Sequence, residues 1–201
     1  MTKNDSIFNV FCYNSNCNTI TQIAIQLQTE DIKMLKNVEK TACFTGHRPQ
    51  TLTYLWDEQS KESVKLKDDI KRAIVELIEK YGVVHFISGM AIGVDMISAE
   101  IVLELKENHP EITLECAIPC ETQANKWTEK YRNRYFSIIE MSDKETLLQT
   151  HYTNDCMMKR NKYMVDKSDY VIAVWNGDAS GTGNTVKYAK DKNKTIIQIK
   201  P

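Results

Sequence analysis

The sequence predicts an α/β domain: an open, mostly parallel, doubly wound sheet with helices on both faces, preceded by a small N-terminal extension. Three observations predict it. Short apolar, β-branched runs alternate with stretches of helical period about five times from residue 41, and the pattern ends in a strand. The run Tyr170–Trp175 is apolar with no polar alternation, which suits a strand covered on both faces. Gly-bearing turns follow the first, second and fifth apolar runs, and parallel strands would carry all three to one C-terminal edge.

Residues 1–40 form the extension. Two β-prone runs, 7–13 and 19–25, flank the Asn-rich turn 14–18 and read as a hairpin. A short helix over 29–36 follows, with Thr29 as its cap. This appendage, with a partly disordered extension as the alternative, is expected at a subunit contact, so the protein is expected to be a homo-oligomer. The main domain, 41–201, opens on the strand Thr41–Phe44. A clear amphipathic helix runs over about 62–81. Leu66, Ile70, Ala73, Ile74, Leu77, Ile78 and Tyr81 share one stripe, and Gly82 stops it. Val83–Ile87 is the second strand, and the helix after it passes through Met96, Ala99, Val102 and Leu103 before His109-Pro110.

Ile112–Pro119 is the third strand. Pro119 and Cys120 then lead into a predicted helix with Gln123, Trp127 and Tyr131 on one face, four residues apart. Phe136–Met141 reads as a fourth strand and Asp155–Lys167 as a helix. Tyr170–Trp175, a helix through Val186 and Ala189, and the strand Thr195–Ile199 complete the chain.

The turns carry the candidate chemistry. After the first strand, Thr45-Gly46 permits a tight turn, and His47 and Arg48 follow at the edge where open α/β sheets bind ligands. Arg48 suits paired hydrogen bonds to phosphate or carboxylate, with a structural ion pair as the alternative. His47 suits ligand binding or proton donation, with turn capping as the alternative. After the second strand, Ser88-Gly89-Met90-Ala91-Ile92-Gly93-Val94-Asp95 repeats strand, Gly turn, helix. Gly89 lets backbone approach a ligand, and Gly93 allows close helix–strand packing. Asp95 either complements the helix dipole or accepts from a ribose hydroxyl.

Trp127 is either a stacking platform for a base or a core anchor. Arg160 and Asn161 either reach the cleft or are solvated. The last turn, Trp175 through Gly177, Ser180, Gly181, Thr182, Gly183, Asn184 and Thr185, combines small polar side chains with a helix N-terminus, a favourable setting for phosphate.

The 201 residues carry 26 Lys and Arg against 27 Asp and Glu, a net charge of -1. No global basic field supports non-specific DNA binding. The six Cys match no zinc spacing, and neither a metal nor a cofactor is expected. Free thiols, a polar start and the lack of a long apolar run point to the cytoplasm, away from membranes.

At Phe44–Pro49, Ser88–Asp95, Ala117–Cys120, Arg160–Asp166 and Val174–Val186 the chain resembles the YpsA-like branch of the SLOG superfamily. That superfamily also includes the DNA-processing protein DprA/Smf and the Lonely Guy phosphoribohydrolases. The resemblance covers 41–201 and implies a Rossmann-like fold with a site for nucleotides or nucleotide-derived ligands. Lonely Guy enzymes carry P-G-G-x-G-T-x-x-E. Here Gly181-Thr182-Gly183-Asn184-Thr185 supplies part of that loop, and Val186, Lys187 and Tyr188 bring no Glu.

The expected function is therefore binding of a phosphate- and ribose-bearing ligand, by a sensor or sequestering protein. The first alternative is an N-glycosidase of the phosphoribohydrolase kind, with Asp95 as the carboxylate and His47 protonating the leaving base. The second is a module binding single-stranded DNA or a protein, which the charge balance does not favour.

Overall fold

The computed structural model describes residues 39–201; the hairpin and short helix expected within residues 1–40 lie outside them, as do Cys12 and Cys17. The described strands are β1 (Lys40–Gly46), β2 (Val83–Ser88), β3 (Thr113–Ile118), β4 (Lys144–Leu147), β5 (Tyr170–Val174) and β6 (Thr195–Ile199). The helices are α1 (Lys61–Tyr81), α2 (Val94–Leu105), α3 (Glu129–Met141), α4 (Cys156–Lys167) and α5 (Gly181–Asp191). A 3-10 turn, Thr53–Trp56, precedes α1. All strands pair in parallel, in the order β4-β3-β2-β1-β5-β6. From β1 the chain winds outward to β4, then returns to place β5 on the other side of β1. The order reverses between β1 and β5, the switch point at which open sheets leave a crevice.

Alternation along the strands builds two cores. Ala42 and Phe44 of β1, Phe86 of β2, Leu114 of β3 and Ile172 of β5 pack with α1, α2 and α3, and the Phe44 and Phe86 rings stack at 6.0 Å. Cys43, Ile87, Ala117 and Val171 face the other way, against Met164 and Val165 of α4 and Ala189 of α5. The stripe of α1 is buried from Leu66 to Ile78 as its spacing dictates, whereas Tyr81 sits at the rim beside Tyr170. Ser60 caps α1 by accepting from the Ser63 amide, and Gly82 ends it at φ 67°.

Two sequence expectations are corrected. Phe136–Met141 is not the fourth strand but the last half of α3. An isolated apolar run of six residues does not distinguish strand from helix. Here Tyr135 and Ile138, three apart, are buried, while Phe136 and Met141 are exposed, which is a helical pattern. The fourth strand is the polar Lys-Glu-Thr-Leu that follows, legible only as an edge strand with one paired side. Nor do Gln123, Trp127 and Tyr131 share a helical face. Residues 121–126 form successive turns, and α3 starts after Thr128, so only Tyr131 is helical.

One buried polar group crosses the layers. Glu115 of β3, 2% exposed, accepts from His85 Nε2 (3.0 Å), Lys144 Nζ (2.9 Å) and the Tyr163 hydroxyl of α4 (2.6 Å).

Candidate functional site

A cavity of about 400 Å³ opens at the switch point. The exit of β1 contributes Phe44, Thr45, Gly46, His47 and Arg48; the turn between β2 and α2 contributes Ala91, and the first turn of α2 contributes Asp95. Met157, Arg160 and Asn161 come from α4, and Ser180, Gly181 and Thr182 from the start of α5. Parallel strands explain this convergence, since every strand-to-helix turn leaves the sheet at the same edge.

The floor is a buried ion pair. Arg160 Nη1 donates to Asp95 Oδ2 at 3.1 Å, and the Ala91 amide donates to the same oxygen at 3.3 Å. Asp95 is 6% exposed and Arg160 3%. Burial pushes the Asp95 pKa up against the pull of Arg160, and pushes that of Arg160 down against Asp95, with the like charge of Arg48 adding to the latter. Arg160 Nε is buried with no hydrogen-bond partner among the described residues. The guanidinium lies directly on Gly89, where a Cβ would come within 1.5 Å of Nη1.

The neighbouring turn is held from below. Met90 adopts φ 57°, a left-handed conformation that costs an L residue about 1 kcal/mol. Gln123 Nε2 donates to the Gly89 and Met90 carbonyls at 3.2 and 2.9 Å. Ser88 Oγ accepts from the Met90 amide and donates to the Asp95 carbonyl at 2.8 Å. Gly93, at φ 106°, lets this turn touch the β1 exit; a Cβ there would lie 3.0 Å from the His47 carbonyl oxygen.

The opposite wall is the first turn of α5. Ser180 Oγ accepts from the Gly183 amide at 3.0 Å, and its carbonyl accepts from Asn184 at 2.9 Å. Of the four amides a helix start leaves unpaired, that of Gly183 is capped and those of Ser180, Gly181 and Thr182 have no partner among the described residues; all three line the cavity. Asn161 Nδ2 donates to Thr185 Oγ1 (2.8 Å), which donates to the Gly181 carbonyl (3.0 Å), tying α4 to α5. Trp175 Nε1 donates to the Asp178 carbonyl at 2.8 Å and closes the turn in which Gly177 takes φ 102°. Gly183 gives room to that turn, as a Cβ would lie 2.9 Å from the Asp178 carbonyl oxygen.

The sequence-predicted residues thus fall into three groups. Thr45, Gly46, His47, Arg48, Asp95, Arg160, Asn161, Ser180, Gly181 and Thr182 line one cavity. Ser88, Gly89, Gly93, Trp175, Gly177, Gly183 and Thr185 shape its walls from behind, and the Asn184 side chain is exposed outside the lining. Trp127 packs edge-on against Tyr135 at 5.4 Å as part of the core margin, away from the lining. Sequence reasoning missed Asn176, whose Oδ1 lies 2.8 Å from His47 Nε2, and the supporting Gln123. Its only signal for Asn176 was a polar residue immediately after a buried strand at the ligand edge. Among the described residues no group of three or more His, Cys, Asp or Glu is placed to hold a metal, and no helix is long and apolar enough to cross a membrane.

The YpsA family model, described as the YspA SLOG family, matches residues 42–200. The SPbeta prophage-derived protein YoqJ of Bacillus subtilis is 32% identical over 139 residues, covering 63% of this chain and 81% of that protein. A UPF0398 protein of Halalkalibacterium halodurans is 28% identical, covering 71% and 76%. Among solved structures, DNA processing protein A from Streptococcus pneumoniae superposes with TM-score 0.54 at 14% identity, over 81% of this chain and 51% of that one. The DNA processing protein A from Helicobacter pylori, described for its single-stranded DNA binding mode, gives 0.53 at 19%, over 81% and 66%. The chain therefore spans between half and two thirds of those two proteins, and at these identities the likeness shows the fold.

Proposed function

Because the chain belongs to the YpsA-type SLOG family, we propose that its switch-point cavity binds a nucleotide or nucleotide-derived ligand carrying phosphate and ribose. The protein then acts as a sensor or a sequestering protein. The observation that carries this reading is the unpartnered, buried Nε of Arg160 in a cavity also lined by Gly181 and Thr182, whose amides stand at a helix start. Leaving a buried donor unsatisfied costs about 1–3 kcal/mol, which an acceptor oxygen from a ligand recovers. Arg48, exposed at the mouth, adds a second guanidinium for the same anion. Four buried free thiols, Cys43, Cys116, Cys120 and Cys156, support a reducing, cytoplasmic setting.

Cleavage of an N-glycosidic bond is less well supported. The helix after Gly181-Thr182-Gly183 brings no Glu, Asp95 is engaged by Arg160, and His47 spends Nε2 on Asn176. A specific observation favours one further reading, single-stranded DNA. Residues 156–194, which contain α4 and α5, hold seven Lys and one Arg against four Asp and no Glu.

The test is to incubate the protein with pooled nucleotides, including adenosine monophosphate and ADP-ribose, and to analyse retained and free fractions by mass spectrometry. An intact nucleotide is expected in the retained fraction, with Arg48→Ala lowering its affinity about tenfold. Free base with ribose phosphate would replace this reading with the glycosidase. Retention of nothing, together with salt-sensitive binding of oligonucleotides, would replace it with the DNA module.

A further inference from the structure

His47 is held in one hydrogen-bonding state by two exposed residues outside the cavity lining. Asn176 Nδ2 donates to Asp178 Oδ2 at 2.7 Å, which turns the amide oxygen toward His47. That oxygen only accepts, so across the 2.8 Å contact His47 Nε2 carries the hydrogen. The Asp178 amide donates to the same oxygen at 3.2 Å and fixes it further. A neutral imidazole has one N–H, so Nδ1 presents a lone pair and accepts. Nδ1 has no partner among the described residues, although His47 lines the cavity.

Asp95 offers a second acceptor. Its Oδ2 is occupied by Ala91 and Arg160, and its Oδ1 has no partner among the described residues. The two acceptors belong to touching segments, the β1 exit and the start of α2. The donors of the same cavity come from α4 and α5, with Arg48 added from the β1 exit. A ligand that satisfies both sets has an anionic group and, beside it, two hydroxyl donors.

On the reading that the cavity takes a phosphate-bearing ligand, we infer that it selects a ribose with both vicinal hydroxyls. These donate to His47 Nδ1 and Asp95 Oδ1, and Asn176 is the positioning residue that keeps His47 an acceptor. A 2-deoxyribose lacks one of the two donors and leaves an acceptor unpaired in a largely buried site, a loss of about tenfold or more in affinity. The same missing hydroxyl distinguishes RNA-type from DNA-type ligands. The cleft is therefore a ribonucleotide site, and a DNA strand is excluded as its preferred occupant.

The test uses the full chain, with inorganic phosphate, ribose 5-phosphate and 2-deoxyribose 5-phosphate as titrants, and long-range proton–nitrogen NMR of the His47 ring. Wild-type protein is expected to show the ring hydrogen on Nε2 and to bind the ribose compound about tenfold more tightly than the deoxy compound. Asn176→Ala is expected to lose that preference while keeping its affinity for inorganic phosphate, which also reports that it is folded. A hydrogen on Nδ1, equal affinities in wild type, or an undiminished preference in the variant would overturn the inference. Failure of all three titrants to bind would overturn it together with the phosphate reading. Binding of phosphate without sugar preference would overturn the diol assignment alone.

Discussion

At the scale of single residues, Gly89 and Arg160 define each other. The guanidinium occupies the volume a side chain at Gly89 would fill, while nothing lies within 4 Å of a Cβ at Gly181. Gly89→Ala is therefore expected to displace Arg160, leave Asp95 buried without its partner, and lower stability by about 3 kcal/mol with loss of nucleotide binding. Gly181→Ala should change stability by well under that. Urea denaturation of the two variants checks the contrast; equal effects would show that Arg160 relocates freely. The sequence placed Gly89 in a strand-to-helix turn, because strand, Gly and helix occur in order there. It did not show that the glycine makes room for an arginine 71 positions later, since a contact of that separation leaves no local pattern. Asn176 escaped for the same reason: its role is defined by His47, 129 residues away.

At the scale of elements, α4 is fastened at two points, to the first turn of α2 and to the sheet. Arg160 binds Asp95 near the cavity, and Tyr163 binds Glu115 of β3. Burial pushes the Glu115 carboxyl up, but donors from His85, Tyr163 and Lys144 outweigh it and hold the pKa far below the ordinary 4.5. With the folded value depressed, the unfolded chain binds the extra proton first. This carboxylate therefore contributes stability above about pH 4.5, and that contribution is lost as the pH falls below it. Thermal unfolding should show a steeper acid loss in wild type than in Glu115→Gln, with the variant about 3 kcal/mol less stable at neutral pH. Parallel acid limbs in the two proteins would remove Glu115 from this role. Elements with a strong period, such as α1, were legible to within a residue or two, because burial of a stripe repeats locally. Phe136–Met141 was misread because its apolar content exceeds what it buries, and β4 because an edge strand needs no apolar signature.

At the scale of the whole molecule, the cavity follows from topology. Reversal of strand order between β1 and β5 separates the helices of the two faces and leaves a crevice at their common edge. The doubly wound class was legible because alternation of strand and helix with Gly turns requires no knowledge of strand order. Which turns would be neighbours depends on that order, and this is why ten predicted residues meet in one cavity while Trp127 stands apart.

The double fastening of α4 has a mechanical consequence. A helix bolted at two points along its length cannot swing as a door, so the parts free to yield around an entering molecule are the 48–51 and 177–180 segments. Hydrogen–deuterium exchange should accordingly record early labelling in those two segments, quenched by a bound nucleotide, and a flat, slow response along α4 with or without it. Early labelling of α4 would instead mean that the bolts slip. If they hold, the cleft works like a vice with one fixed jaw: the sheet and α4 set the gauge, and the lighter jaw travels.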